Sequence, residues 1–318
     1  MHFDVFNGDA DGIIALLQLR LAEPKESTLI TGIKRDIELL KQVDPSLARS
    51  VTVLDISMEK NAKPLNELLG QGIDVFYVDH HRAGDIPKSD KLTALINTDA
   101  NICTSLLVDE YLAGKYRHWA IAAAFGDNMV EKAKSLSLES GLTEQQQQAL
   151  QQLGIYINYN GYGRSVEDLH YHPAQLFRLL LSYPEPLELI AEEGSVFSQL
   201  RSAYRQDMDR ALSANVLFES ASCKVIRLDD APWARRISGV LGNELANQSP
   251  DKAHAVLTRN ADNSFTVSVR APINNKQGAD EVCIQFPTGG GRAGAAGINQ
   301  LPQKMLDDFI QVLSQYYL

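Results

Sequence analysis

The first part of the sequence alternates between short apolar runs and stretches in which apolar residues recur at helical spacing. The apolar runs predict strands at four places, residues 3–6, 28–33, 51–54 and 75–78, and the helical patterns between them cover residues 13–21, 36–43 and 58–69. Strands that alternate with helices of this length indicate β-α-β units and a parallel sheet. We therefore predict an α/β fold for this part of the chain.

Acidic residues follow three of the four runs. The segment Asn7-Gly8-Asp9-Ala10-Asp11-Gly12 follows the first run, Asp55 follows the third, and Asp79-His80-His81 follows the fourth. Ligands of parallel sheets bind beyond the carboxyl ends of the strands. That edge is expected to collect four metal-binding side chains: Asp9, Asp11, Asp55 and His80. For any one motif, the alternative is a strand that merely ends in polar residues.

The residue types at this edge suit a hard or borderline divalent ion such as Mn²⁺ or Mg²⁺. The chain has no paired cysteines, which argues against a structural zinc site. Asp9 and Asp11 lie two residues apart, so both could reach the same site and each could bind a different ion. Two ions about 3.5–4 Å apart, bridged by a carboxylate and a water, would form a centre that hydrolyses phosphoesters.

Taken together, these motifs resemble the DHH phosphoesterase superfamily, which is named for the tripeptide seen here as Asp79-His80-His81. Residues 7–12 are similar to its first motif, Asp55 to its second, and Asp127 in Phe125-Gly126-Asp127 to its fourth. Residues 289–297, with the sequence GGGRAGAAG, resemble the glycine motif of the DHHA1 domain that follows the DHH domain in one branch. The resemblance covers nearly the whole chain.

The resemblance implies a role for each residue of the site. Asp9 and Asp55 would hold one ion, with Asp55 bridging to a second ion. The ligands of the second ion would be Asp11, Asp55, His80 and Asp127. His81 would face the substrate, and Asp79 would support the site from behind, as residues outside the ligand set often do. Mn²⁺ is the expected ion, with Mg²⁺ as the alternative.

The chain departs from the family pattern at two positions. Asn7 stands where the family usually has histidine, and a neutral amide is a poorer ligand, so the first ion would bind weakly or through water. Arg292 stands where the DHHA1 motif usually has histidine. Arginine suits phosphate recognition but cannot act as a general acid near neutral pH. Proton delivery to the leaving group would then fall to His81 or to water.

Several residues are candidates for binding the phosphate groups of a substrate. Thr104 lies near the start of a helix predicted over residues 101–112, where it would offer a hydroxyl and an amide to a phosphate or, alternatively, cap the helix. Arg270 ends a strand predicted over residues 265–270 and resembles a substrate-binding position of DHHA1 domains, the alternative being a solvated charge. The glycines Gly289, Gly290 and Gly291 would form a phosphate cradle or, alternatively, a flexible loop.

The chain has 318 residues, 44% of them apolar, which is enough for two packed domains. We predict a DHH catalytic domain over residues 1–200, with a helical part from about residue 116. A linker helix over residues 201–214 would lead to a smaller mixed α/β DHHA1 domain over residues 215–318, which would bind the substrate.

The charge of the chain favours short substrates. The net charge of −10 comes entirely from residues 1–214, which hold 20 Lys and Arg against 30 Asp and Glu, whereas residues 215–318 hold 10 of each. A chain this acidic has few cationic groups that could bind a long polyanion and release its counterions. We expect a cytoplasmic protein because Met1-His2 leads straight into the first strand, no apolar run is long enough for a membrane span, and the three cysteines are far apart.

The sequence thus predicts a hydrolase: a metal-dependent phosphodiesterase that uses water activated by two ions. Its substrates would be short oligonucleotides, as for an oligoribonuclease, or linear or cyclic dinucleotides. Three alternatives stay open: an exonuclease for single-stranded DNA, a nucleotide-binding regulator whose site has decayed at Asn7, and a pyrophosphate or polyphosphate hydrolase. No membrane partner is expected, and a homodimer is an alternative that the sequence leaves open.

Overall fold

The computed structural model describes residues 1–318, which form two compact units, Met1–Ser202 and Ala203–Leu318. Each unit has its own sheet and its own buried apolar core. None of the helices combines the length and the apolar character that a bilayer-spanning helix requires.

The first unit contains a sheet of five parallel strands in the order β2-β1-β3-β4-β5. The strands are β1 (His2–Phe6), β2 (Thr28–Ile30), β3 (Ser50–Leu54), β4 (Asp74–Asp79) and β5 (Leu92–Ile96). This arrangement confirms the predicted parallel sheet, and it places all five carboxyl ends on one edge. The second strand is shorter than predicted because the main chain turns at Ile33, whose N–H donates to the Asp36 carboxylate at 3.0 Å.

Nine helices belong to this unit or begin in it. They are α1 (Ala10–Ala22), α2 (Ala62–Gly70), α3 (Thr104–Tyr111), α4 (Arg117–Gly126), α5 (Val130–Glu139), α6 (Glu144–Asn160), α7 (Pro173–Leu180), α8 (Pro186–Ala191) and α9 (Val196–Leu212). The prediction of a helix over residues 36–43 is wrong, because only a 3₁₀ turn, Leu39–Gln42, forms there. The Asn61 side chain bonds this segment instead, accepting from the N–H of Leu40 at 3.2 Å and donating to the carbonyl of Ile37 at 2.7 Å.

Helices α4 and α6 pack closely through a glycine, and α1 lies against both. A Cβ added at Gly154 would lie 1.8 Å from the carbonyl oxygen of Ala122, so only glycine fits this crossing. Helix α1 is buried over nearly its whole length, which explains why its sequence is apolar on all sides. Tight packing here fixes the position of the start of α1, where two acidic residues of the predicted site lie.

A buried ion pair connects β1 to α1 inside the first unit. Asp4 is fully buried, and its carboxylate accepts bonds from Arg20 at 2.6 and 2.9 Å and from the Ser27 hydroxyl at 2.6 Å. Burial alone would raise the pKa of Asp4, but the bonds from Arg20 and His2 outweigh it and lower the pKa to about 2. Asp4 therefore stabilises the folded state above its ordinary pKa, and this contribution is lost as the pH falls toward 2.

We expect the stability difference between the wild type and Asp4→Asn to shrink by about 2 kcal/mol as the pH falls from 4 to 2. The reason is that the folded state holds the Asp4 carboxylate ionised over this range while the unfolded state protonates it. Urea unfolding at a series of pH values measures the difference. The exposed Asp90, replaced by Asn, is the control. An Asp4→Asn difference that does not change with pH would contradict the assignment.

The second unit contains a six-stranded mixed sheet in the order β10-β11-β9-β8-β7-β6. The strands are β6 (Asn215–Glu219), β7 (Cys223–Leu228), β8 (Ala253–Arg259), β9 (Phe265–Arg270), β10 (Gly289–Arg292) and β11 (Ala295–Leu301), and the helices are α10 (Pro232–Gln248), α11 (Ala279–Cys283) and α12 (Leu306–Tyr316). Only β7 and β8 pair in parallel, and α10 connects them. The other pairs are antiparallel, including β8 and β9, which a turn at residues 260–263 connects. The mixed α/β character predicted for this part is likewise confirmed.

Candidate metal centre

Five side chains from four chain segments meet at the carboxyl edge of the parallel sheet. Asp9 caps α1 just after β1, Asp11 lies in the first turn of α1, Asp55 follows β3, His80 follows β4 and Asp127 ends α4. The Nε2 atom of His80 lies 3.4 Å from Asp55, 3.8 Å from Asp127 and 3.9 Å from Asp11. Sequence motifs separated by more than a hundred residues thus lie within one cluster.

Two sets of three side chains in this cluster have donor atoms close enough to share one ion. One set is Asp11, His80 and Asp127, and the other is Asp55, His80 and His81. In both sets the donor atoms lie within 4.8 Å of one another. His80 belongs to both, so its ring nitrogen marks the centre of the candidate site.

Neighbouring groups fix the orientation of both imidazoles. The Nδ1 of His80 lies 2.9 Å from the main-chain carbonyl of Ile102, which can only accept, so Nδ1 donates and Nε2 faces the carboxylates. His81 donates from Nδ1 to Asp79 at 2.7 Å, and the Asp79 side chain is fully buried. Asp79 therefore lies behind His81, whereas His81 is partly exposed.

The start of helix α3 binds a carboxylate of the cluster. The main-chain N–H groups of Thr104 and Ser105 donate to the two oxygens of Asp11 at 2.8 and 2.7 Å. The Thr104 hydroxyl donates to Asp55 at 3.0 Å. A helix N-terminus attracts anions, and the anion at this one is the Asp11 side chain. Thr104, predicted to bind a substrate phosphate, thus contacts two of the candidate metal ligands.

Asp55 has a main-chain conformation that is rare outside glycine. Its φ is 59°, in the left-handed region, which aspartate tolerates better than most residues. Its N–H still donates to the carbonyl of Val78 at 3.1 Å, so the strand pairing extends to this residue. The turn directs the carboxylate toward the imidazole of His80. Strained conformations of this kind concentrate at functional sites.

The cluster has an excess of buried negative charge. Burial raises the pKa of Asp55 well above its ordinary value, and repulsion from Asp11 and Asp9 raises it further. Burial and the charge of Asp127 likewise raise the pKa of Asp11. Buried like charges are costly unless cations neutralise them. Carboxylates that surround an imidazole nitrogen therefore fit a divalent ion such as Mn²⁺ or Mg²⁺.

Two residues that sequence reasoning missed, Lys34 and Asn158, lie beside this cluster. The Lys34 ammonium group donates to Asp9, to Asn158 at 3.1 Å and to Asp127 at 3.3 Å. Lys34 follows β2, the strand that has no acid after its end. The acids were identified because they follow the carboxyl ends of strands, and the same criterion applied to basic residues identifies Lys34. No comparable signal marks Asn158, which lies near the end of α6.

Asn7 does not contact an acidic side chain through its amide. Its Oδ1 accepts from the N–H of Asp9 at 3.2 Å, and its Nδ2 donates to the carbonyl of Lys34 at 3.1 Å. The Asn7 side chain therefore connects the turn that carries Asp9 to the loop that carries Lys34.

The two arginines predicted to bind phosphate lie in one row of the second sheet. Arg292 on β10 pairs with Ala295 on β11, and Ala295 pairs with Arg270 on β9. Residues directly opposite each other in antiparallel strands project to the same face. The small Ala295 leaves space between the two longer side chains. Arg292 is exposed, whereas Arg270 is held by the side chain of Asn243 at 2.5 Å and the carbonyl of Gly239 at 3.2 Å.

The predicted glycine cradle forms strand β10 rather than an irregular loop. A Cβ added at Gly289 would lie 1.8 Å from the carbonyl oxygen of Cys283, and one at Gly291, whose φ is 147°, would lie 2.6 Å from the Cβ of Ala296. Only Gly290 has open space around its Cα. Packing therefore accounts for two of the three glycines.

Comparisons with known proteins identify the fold. Neither models of protein families nor curated protein sequences match the chain. Among solved structures, it is similar to a DHH domain described as a member of the s1p family of ribosomal proteins, with a TM-score of 0.64 and 14% identity over 99% of this chain and 86% of that one. It is also similar to the exonuclease RecJ bound to manganese, with a TM-score of 0.61 and 16% identity over 99% and 90%.

A third similar structure is PggH, a pGpG-specific phosphodiesterase from Vibrio cholerae. It matches with a TM-score of 0.54 and 12% identity over 100% of this chain and 99% of that one. At these identities the similarity establishes the fold. The chain thus has the fold of DHH-domain proteins over nearly its whole length, as the sequence motifs predict.

Proposed function

We propose that this protein is a divalent-metal-dependent phosphodiesterase that hydrolyses short oligonucleotides or linear or cyclic dinucleotides. The observation that carries the proposal is the position of the His80 Nε2 atom, which lies 3.4–3.9 Å from three buried carboxylates. Two proteins with this fold support it, because one is an exonuclease bound to manganese and the other is a phosphodiesterase specific for a dinucleotide.

In this proposal, one divalent ion, Mn²⁺ or Mg²⁺, binds at the Nε2 atom of His80. Its ligands are Asp11, Asp55, His80 and Asp127. Ions of this kind neutralise phosphate charge and lower the pKa of bound water. The sequence predicts a second ion at Asp9 and Asp55, but the positively charged ammonium group of Lys34 already contacts Asp9.

The remaining residues position the substrate and move protons. Asp79 accepts from Nδ1 of His81, which directs the His81 Nε2 atom away from Asp79, and a proton on that Nε2 would be donated to the leaving oxygen. Thr104 orients the Asp55 carboxylate through its hydroxyl. Arg292 and Arg270 bind substrate phosphate groups, since guanidinium groups donate paired hydrogen bonds to phosphate oxygens.

The distribution of charge supports short substrates. All the excess negative charge of the chain lies in residues 1–214, which include the metal centre. Long single strands would gain little there from counterion release. The second candidate function is an exonuclease for single-stranded DNA, which is favoured by the similarity to RecJ.

A length series tests the choice between these two functions. With Mn²⁺ present, we expect turnover to be fastest for a dinucleotide and to fall as single strands become longer, because longer chains add phosphates that meet an acidic surface. Product formation is measured by chromatography at matched molar concentrations of substrate. A rate that holds for long strands and falls steeply with salt would favour the exonuclease, and ligand binding without turnover would favour a regulator.

A further inference from the structure

The ammonium group of Lys34 occupies a pocket that has the character of a cation site. Three oxygens surround it, from Asp9, Asp127 and Asn158, and the ring centroid of Tyr162 lies 5.7 Å away. Carboxylate and amide oxygens are ligands of hard cations, and the face of an aromatic ring also attracts positive charge. The Lys34 side chain is only 26% exposed, so little water competes for these contacts.

The main chain holds Lys34 in this position at both of its polar groups. The Lys34 N–H donates to the carbonyl of Gly161 at 2.8 Å, and its carbonyl accepts from the Asn7 amide at 3.1 Å. Its ammonium group donates to the carboxylates of Asp9 and Asp127, so the positive charge of the side chain is paired in place.

The hydrogen bonds of Asp9 direct it toward Lys34 and not toward His80. One Asp9 oxygen caps α1 through Gly12, and the other accepts from Lys34. Asp127 is shared between the two neighbours, with Oδ2 lying 3.8 Å from His80 and Oδ1 lying 3.3 Å from Lys34. The position marked by His80 and the position filled by the ammonium group thus lie on the two sides of Asp127.

Lys34 supplies part of the positive charge that neutralises the cluster. The candidate ligands supply four carboxylates: Asp9, Asp11, Asp55 and Asp127. Two divalent ions alone would balance these four charges. With the ammonium group also present, two ions would exceed them by one positive charge, whereas one ion would leave one negative charge. The Lys34 charge thus lowers the electrostatic gain from a second divalent ion.

We infer that the Lys34 ammonium group takes the place of one of the two ions, so that the centre binds a single divalent ion per chain. Asn7 contributes by holding the Lys34 loop in place, at the position where the resemblance leads one to expect a histidine. The inference rests on the proposed function only in taking the centre to be metal-dependent. It assigns Lys34 as a built-in cation that supplies the second positive centre.

Counting bound ions without substrate tests the inference. Protein is dialysed to equilibrium against saturating Mn²⁺, and bound manganese is measured by elemental analysis and by electron paramagnetic resonance, which distinguishes a lone Mn²⁺ from a spin-coupled pair. We expect one ion per chain and an uncoupled signal for the wild type. Lys34→Met keeps the length of the side chain but not its charge, so two ions and a coupled signal are expected.

Lys41→Met is the matched control, because Lys41 is an exposed lysine paired only with Glu38, and its count is expected to equal that of the wild type. Lys34→Gln serves as a second variant should Lys34→Met fail to fold. Two ions bound to the wild type would overturn the inference. A single ion bound to a folded Lys34 variant would overturn it as well. Both results would leave the proposed phosphodiesterase activity intact. A wild type that binds no ion would overturn both.

Discussion

Replacing Asp55 with asparagine is expected to lower kcat/KM for a dinucleotide by about a thousandfold, the equivalent of about 4 kcal/mol of transition-state stabilisation. The Asp55 carboxylate lies 3.4 Å from Nε2 of His80, 3.9 Å from Nδ1 of His81 and 3.0 Å from the Thr104 hydroxyl. The change removes the negative charge that an ion would bind. An amide retains the size of the side chain, so the loss reflects charge and not shape.

Asparagine is also the replacement that preserves the fold best. The φ of Asp55 is 59°, and asparagine adopts the left-handed region readily. In chelator, the circular dichroism spectrum of Asp55→Asn is expected to match that of the wild type. The unfolding midpoint is expected to be equal or higher, because the variant lacks one buried carboxylate. Asp44→Asn, on the surface, is the control. Full activity in a folded Asp55→Asn protein would remove Asp55 from the proposed ligand set.

Removing divalent ions with a chelator is expected to abolish hydrolysis and to destabilise the wild type by about 3 kcal/mol relative to protein held at a hundred times the Kd for Mn²⁺. The reason is the buried charge of the cluster. Burial and repulsion raise the pKa values of Asp11 and Asp55, which means that their ionised forms are disfavoured when no cation is bound. Thermal unfolding in chelator and in Mn²⁺ measures the difference.

Asp11→Asn is the variant that makes this experiment specific. The Asp11 carboxylate is fully buried, and its replacement removes one candidate ligand together with one of the two main-chain N–H bonds that it accepts. The midpoint in chelator therefore combines opposing effects, and the informative quantity is the Mn²⁺ shift, which we expect to be much smaller for the variant than for the wild type. Equal Mn²⁺ shifts for the two proteins would show that the ion binds elsewhere.

Residue patterns predicted the fold and most of the candidate ligands. Strand and helix periodicities, together with acids at the ends of strands, led to the parallel sheet and to Asp9, Asp11, Asp55 and His80. This reasoning works because the carboxyl ends of parallel strands share one edge whatever the details of packing. Asp127, which ends a helix, came only from the resemblance, since no strand-end pattern points to it.

The same patterns gave an incomplete account of other residues. The three glycines of β10 were expected to cradle phosphate, yet Gly289 and Gly291 are required by close contacts with Cys283 and Ala296. Composition does not distinguish a glycine needed for packing from one that approaches a ligand. Thr104 was expected to meet a substrate phosphate, and the structure brings it to Asp11 and Asp55.

Periodicity and strand ends are local properties, so the order of the strands, the edge that carries the site and the acids that follow those strands can be read from the amino acids alone. The cation beside those acids cannot, because Lys34 meets Asp127 and Asn158 across 93 and 124 positions of the chain. That contact depends on how α6 packs against α4 and on how the Lys34 loop is held by Asn7. Only three-dimensional packing decides such contacts, and with them the number of ions that this centre would hold.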